Sequence, residues 1–154
     1  MKKVLLPFAA LIVLLLVQGC GKISKNDTAF VDQNFSAVLD ANHTEEDIEA
    51  LKKENLQYWD YSSKAMYAKS FDFELPYLQF LYPKEWYLNF RASDKRGYKT
   101  AITKIEFDPD ERYLAYVTVE LLYKGSKIKL REKWYKINTD WYHKFTPSYL
   151  PSIE

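Results

Sequence analysis

The sequence predicts an α+β fold, N-terminal helices packed on a curved antiparallel β-meander, and three observations carry that expectation. Residues 44–61 repeat apolar side chains at helical spacing behind a capping signal. From Tyr98 onward, three turn signals divide runs rich in Val, Ile, Tyr and Trp: Asp108-Pro109-Asp110, Lys124-Gly125-Ser126 and Asn138-Thr139-Asp140. The composition, 13 Tyr, 9 Phe and 4 Trp against only 4 Gly in 154 residues, is that of a folded chain.

The helical half opens with Phe30, Val31, Phe35, Val38 and Leu39, whose spacing predicts a first helix over 28–40. Thr44-Glu45-Glu46-Asp47 then supplies a cap, an acid three residues on, and carboxylates suited to the positive end of a helix dipole. Behind it Ile48, Leu51, Asn55 and Trp59 lie close to one face, widened by Leu56 and Tyr58, so this helix runs to about residue 61. Further helices are expected over 63–71 and 77–86, divided by Pro76.

In the β half, residues 112–123 carry few polar groups on either face and read as a central strand covered on both sides. A two-residue turn at Gly125 pairs odd positions of this strand with even positions of the next. Val117, Val119 and Leu121 then share a face with Ile128, Leu130 and Trp134. The opposite face gathers Thr118 and Glu120 beside Lys127, Lys129, Arg131 and Lys133. That basic stripe reads as the wet face of the sheet, partly neutralised by Glu120; as a functional stripe it would meet anionic envelope glycolipid. Ile102 and Ile105 differ in parity, so the preceding strand is expected to bulge near Thr103-Lys104.

Lys2 and Lys3 precede an apolar run from Val4 to Val17, shorter than the roughly 20 residues needed to span a bilayer as a helix but suited to the apolar region of a signal peptide. The chain's only cysteine stands at its end, with no second cysteine to pair. Val17-Gln18-Gly19-Cys20 resembles the lipobox of bacterial lipoproteins, although Gln18 stands where that family most often has a small residue. The resemblance implies removal of residues 1–19, acyl chains on Cys20, and a protein facing the periplasm from the cell membrane or outer membrane. Two or more chains hold stably where one holds weakly. Gly21, rather than Asp, resembles the outer-membrane pattern of Gram-negative lipoproteins. Residues 20–27 read as a lipidated tether and 28–154 as one α+β domain. Without residues 1–19, 20 basic residues face 21 acidic ones, so no global basic field exists for nucleic acid.

The closing Lys133-Trp134-Tyr135-Lys136-Ile137-Asn138-Thr139-Asp140-Trp141-Tyr142-His143, with Tyr58-Trp59-Asp60-Tyr61 and Phe73-Glu74-Leu75-Pro76, resembles the nuclear transport factor two-like superfamily over residues 44–146. Thr139 replaces the glycine common in that family's last turn. The resemblance implies a sheet curled around helices into a cone-shaped pocket, and it carries little about activity, since the fold hosts isomerases, dehydratases and inert binding domains alike.

A two-residue turn at Asn138-Thr139 places Trp134 opposite His143 and puts Glu132, Trp134, Trp141 and His143 on one face; a three-residue turn sends His143 to the other. Glu132 and His143 are the candidates for an acid–base pair, and the weightier expectation is that Glu132 pairs with a neighbouring Lys or Tyr near the end of the sheet while His143 packs beside the tryptophans. Trp59, Trp134 and Trp141 are candidates to line the pocket. His43, in the loop before the capped helix, is expected to be solvated. No metal spacing, phosphate loop, serine elbow or paired-cysteine motif implies a cofactor. The function expected is noncatalytic: binding a small hydrophobic ligand, or docking an envelope protein or a second copy as a homodimer. The alternative is an envelope isomerase or hydrolase using Glu132 and His143.

Overall fold

Thr44 starts the longest helix as its sequence predicts. Its hydroxyl accepts from the Asp47 backbone N–H at 3.3 Å while the Asp47 carboxylate accepts from the Thr44 N–H at 3.0 Å, a reciprocal cap that opens α1 (Glu45–Ser63). The computed structural model describes residues 29–38, 42–94 and 97–146, so the expected signal peptide (1–19), Cys20 and the expected tether (20–27) lie outside the described residues. No helix among the described residues is long and apolar enough to cross a membrane.

The fold is α+β. After α1 come α2 (Tyr67–Ser70), a 3-10 turn at Phe71–Phe73, α3 (Pro76–Leu81) and α4 (Lys84–Arg91). The sheet has the order β1-β2-β3-β4-β5: β2 (Lys99–Phe107), β3 (Leu114–Tyr123), β4 (Ser126–Ile137) and β5 (Asp140–Lys144) form an antiparallel meander, and β1 (Ala29–Val38) lies parallel to β2.

The first predicted helix is thus a strand. Ala29, Val31, Phe35 and Ala37 all pack on the core, and the pairing with β2 shifts between Val31 and Ser36. Val31 and Phe35, four residues apart, lie on one face of a strand as they would of a helix, while the edge of β2 supplies backbone partners that a helix would leave unused. The second and third predicted helices are also divided differently. α1 absorbs residues 62 and 63 and stops at Ala65, which has φ of 56°. Pro83 breaks the 77–86 segment into α3 and α4, with Tyr82 forced into an extended conformation ahead of it.

The expected hairpin register is the one observed, with Val119 opposite Leu130 and Thr118 opposite Arg131. Lys124 (φ 47°) and Gly125 (φ 81°) make its two-residue turn, both left-handed as a hairpin turn matching strand twist requires. The bulge falls between Ile102 and Lys104, and it lets both Ile102 and Ile105 be fully buried.

α1 lays Ile48, Leu51, Tyr58 and Trp59 across the concave partners Ile102, Ile105, Val117, Val119, Trp134 and Trp141. Each such large side chain, once buried, contributes roughly 1.5–3 kcal/mol. A second cluster of Tyr67, Phe71, Leu75, Leu78, Tyr87 and Phe145 fastens the short helices beside β5. β3 is buried on both faces over much of its first half: the outward Leu114 and Thr118 are buried as well as the inward Ala115, Val117 and Val119, while Tyr116 is half-buried with Arg131 lying 3.6 Å over its ring. Beyond Val119 both faces are only half-buried.

Candidate functional site

Asn138, with φ of 57°, closes the last turn in two residues, so Ile137 pairs with Asp140 and Trp134 with His143. His143 therefore points inward, as does Glu132 two residues before Trp134. The structure brings the two together: His143 Nε2 is 3.4 Å from a Glu132 carboxylate oxygen.

A third residue changes the meaning of that contact. Glu74 follows the 3-10 turn and makes a short parallel bridge to His143, with the Leu75 N–H donating to the His143 carbonyl at 2.9 Å. The Glu74 carboxylate, fully buried, then sits 3.0 and 3.1 Å from His143 Nδ1. It also accepts from the hydroxyls of Tyr87 at 3.0 Å and Tyr58 at 3.3 Å, and from the Phe145 N–H at 3.1 Å. Arg91, on the last turn of α4, donates to both phenolic oxygens, at 2.8 Å to Tyr87 and 3.1 Å to Tyr58, and its Nε donates to Asp94. At the other end, Glu132 accepts from Trp59 Nε1 at 3.0 Å and, at a long 3.4 Å, from Asn55. A continuous polar chain therefore runs from Asp94 through Arg91, the tyrosine pair, Glu74 and His143 to Glu132.

Burial alone would strip the proton from His143, but Glu74 and then Glu132 outweigh it and push the imidazole up to about 10. The ring is an imidazolium at neutral pH, with each N–H aimed at a carboxylate. Burial, and then the neighbouring Glu74, push the Tyr87 phenol up; burial and the adjacent Tyr87 and Glu74 do the same to Tyr58. Both phenols are neutral donors. An imidazolium has no lone pair with which to take a proton, so the arrangement is chemically an ion triad braced by phenols, and not a poised base.

The apolar concavity lies farther along the same side of the sheet. A cleft of about 300 Å³ opens between α1, the end of α4 and the β3–β4 hairpin. Trp59 and Tyr98 form one wall, ring edge to ring face at 5.8 Å, and Leu121, Tyr123, Ile128 and Leu130 form the other; Arg91 and Asp94 stand at the rim. Of the three tryptophan candidates, Trp59 lines this cleft, whereas Trp134 and Trp141 are sealed in the core, Trp134 beneath Tyr58 of α1 and Trp141 beside His43 and Phe107. A smaller polar recess of about 240 Å³ lies near Arg112, Tyr113 and Lys136, where Lys136 is held by Asp47.

His43 is not solvated. Its ring stacks on Phe107 at 3.8 Å and 4°, and its Nε2 lies 2.8 Å from the Arg112 carbonyl oxygen, because the start of α1 presses it against the end of β2. Sequence reasoning found Glu132, His143 and Trp59, and missed Glu74, Tyr58, Tyr87 and Arg91 as polar partners. The one local signal for Glu74 is a carboxylate flanked by Phe73 and Leu75-Pro76, an apolar setting that a solvated glutamate does not need. Among the described residues, no group of three or more His, Cys, Asp or Glu side chains is arranged to hold a metal ion. No protein-family model, curated protein or solved structure matches this chain.

Proposed function

We propose that this chain is a lipid-anchored protein of the bacterial cell envelope whose domain binds a small apolar ligand without catalysis. The observation that carries the binding role is the cleft between Trp59 and Tyr98 on one side and the β3–β4 hairpin on the other. Its volume stands at the lower end of the roughly 300–1,000 Å³ of small-molecule sites, so it suits one ring system or a short acyl segment. The anchor rests on Val17-Gln18-Gly19-Cys20 behind the short apolar run. A nuclear transport factor two-like cone is supported by helices followed by a bulged meander that ends in the tryptophan hairpin; the parallel β1 ahead of α1 is a departure from the helix-first order expected here.

Acid–base chemistry by Glu132 and His143 is the weaker reading, because a protonated ring enclosed by two carboxylates cannot act as a base and neither residue lines the cleft. A docked protein partner is the second reading, and the exposed ridge of α3 favours it, with Phe80 86% exposed beside Tyr77 and Leu81.

Titration of the purified chain with a neutral apolar fluorophore such as N-phenyl-1-naphthylamine tests the ligand reading. Saturable one-to-one binding is expected, with quenching of Trp59 emission, and Ile128→Glu at the exposed lip of the cleft removes it. Absence of saturation in the wild-type chain refutes the reading. Intact mass of the native polypeptide tests the anchor: loss of residues 1–19 and a gain of acyl chains on Cys20 are expected.

A further inference from the structure

The outward face of β2, β3 and β4 carries six cations, Lys99, Lys104, Lys127, Lys129, Arg131 and Lys133, against two carboxylates, Glu106 and Glu120. The mature chain as a whole is close to neutral, so the fold has sorted positive charge onto one surface. Internal pairing cancels only part of it. Glu120 binds Lys127 at 3.0 Å, and Glu106 is shared between Lys104 at 2.9 Å and Arg131 at 3.8 Å. Lys99 and Lys129 are exposed and form no ion pair among the described residues, whereas Lys133 faces Asp108, which follows β2 and accepts from the Tyr116 hydroxyl on this side of the sheet. Six like charges on one face repel one another, and such a face is most stable with a counter-surface of opposite sign.

We propose that this face lies against the anionic phospholipid headgroups of the membrane that carries the protein. The proposal rests on the lipid anchor and extends it from attachment to orientation. Eight residues separate Cys20 from Ala29, and the nine steps span at most about 32 Å when fully extended. Ala29 pairs with Thr100, next to Lys99, and Lys99 stands in one transverse row with Leu122 and Lys127. The chain therefore enters the sheet at the end where Lys99, Lys127 and Lys129 are displayed, three strand spacings or less away, roughly 15 Å. An acyl anchor on such a tether holds the cations within a few tens of ångströms of the bilayer, roughly, so that headgroup contact becomes an intramolecular event and the two attachments reinforce each other by effective concentration. The cleft opens on the opposite, helix-bearing side of the same hairpin, so a contact through this face leaves it open.

Lysine acetylation mapped by mass spectrometry tests the contact on the native chain reconstituted into vesicles of phosphatidylcholine, alone or mixed with phosphatidylglycerol. Lys99, Lys127, Lys129 and Lys133 should label several-fold more slowly on the anionic vesicles, with the difference erased by high salt. Lys53 and Lys64 on α1, away from this face, should label equally on both. Each cation at an anionic surface strengthens binding about fivefold, so Lys129→Gln with Lys133→Gln should weaken attachment of a Cys20→Ser chain to anionic vesicles about twenty-five-fold. Equal labelling of the four lysines on both vesicles overturns the proposal, as does protection that appears only when an acidic protein is added. An unacylated native mass refutes the anchor alone, because the labelling contrast between the two vesicles is read whatever holds the chain there.

Discussion

The imidazole of His143 stands within 3.1 Å of both carboxylate oxygens of Glu74, a residue 69 positions earlier in the chain. The two side chains are 7% and 0% exposed, so water cannot replace either partner. Replacing Glu74 by Gln leaves a buried cation facing a neutral amide, and with the amide oxygen kept toward the phenols its NH2 stands against the donors of His143 and Phe145. Removing one member of such a pair costs about 3–5 kcal/mol. Urea unfolding of Glu74→Gln should show a loss of that size at unchanged slope, and a loss below about 1 kcal/mol would mean that the triad does not brace the fold.

The same contact fixes a pH dependence. His143 has a folded pKa raised to about 10 from an ordinary 6.5, so the stability it contributes is fully present below pH 6.5 and is lost as pH rises through 10. Within that window the loss approaches about 1.4 kcal/mol per pH unit for one proton. Unfolding midpoints of the wild-type chain should fall steadily from pH 7 toward 10, and those of His143→Gln should fall much less over the same range. Imidazole resonances that titrate near 6.5 in the folded protein would contradict the assignment.

Gly125 tests the hairpin turn. Its φ is 81°, and a Cβ built there meets nothing within 4 Å, so any penalty for Gly125→Ala is a backbone penalty alone. It should destabilise by about 1–2 kcal/mol. Lys124→Asn, which creates the preferred Asn-Gly pair at a residue already at φ 47°, should stabilise by a few tenths of a kcal/mol, roughly. Thermal melts of the two variants should move in opposite directions.

Asp47 serves two partners at once. It caps α1 through Thr44 and holds Lys136 of β4, which ties the start of the helix to the sheet. Thr44→Ala removes the hydroxyl cap and should cost about 1 kcal/mol; Asp47→Ala loses both connections and should cost more. A double variant with Lys136→Met shows whether the excess belongs to the ion pair, because the second substitution then adds little.

What could be read in the sequence divides along physical lines. The β3–β4 register was legible because period-two alternation and charge complementarity, Glu120 facing Lys129 and Val119 facing Leu130, agree on a single answer. The α1 cap was legible because its signals are local. β1 was not, since Val31 and Phe35, four residues apart, share one face of a strand as they would of a helix, and a parallel neighbour leaves no turn signal nearby. Two of the three members of the ion triad, Glu132 and His143, were legible from strand parity. Glu74 and Arg91 were not, because their partners are set by how α3 and α4 fold beside β5 rather than by anything in their own neighbourhoods.

The polar chain from Asp94 to Glu132 threads α4, α1, the segment after the 3-10 turn, β5 and β4. Pulling any one of these segments away uncovers charge in the others, so partial opening gains little and the five should detach as a single foldon. Amide hydrogens of Leu75 and Phe145, whose donors are spent on His143 and Glu74, should then exchange at the rate of complete unfolding, although both lie in short, irregular stretches that would ordinarily fray.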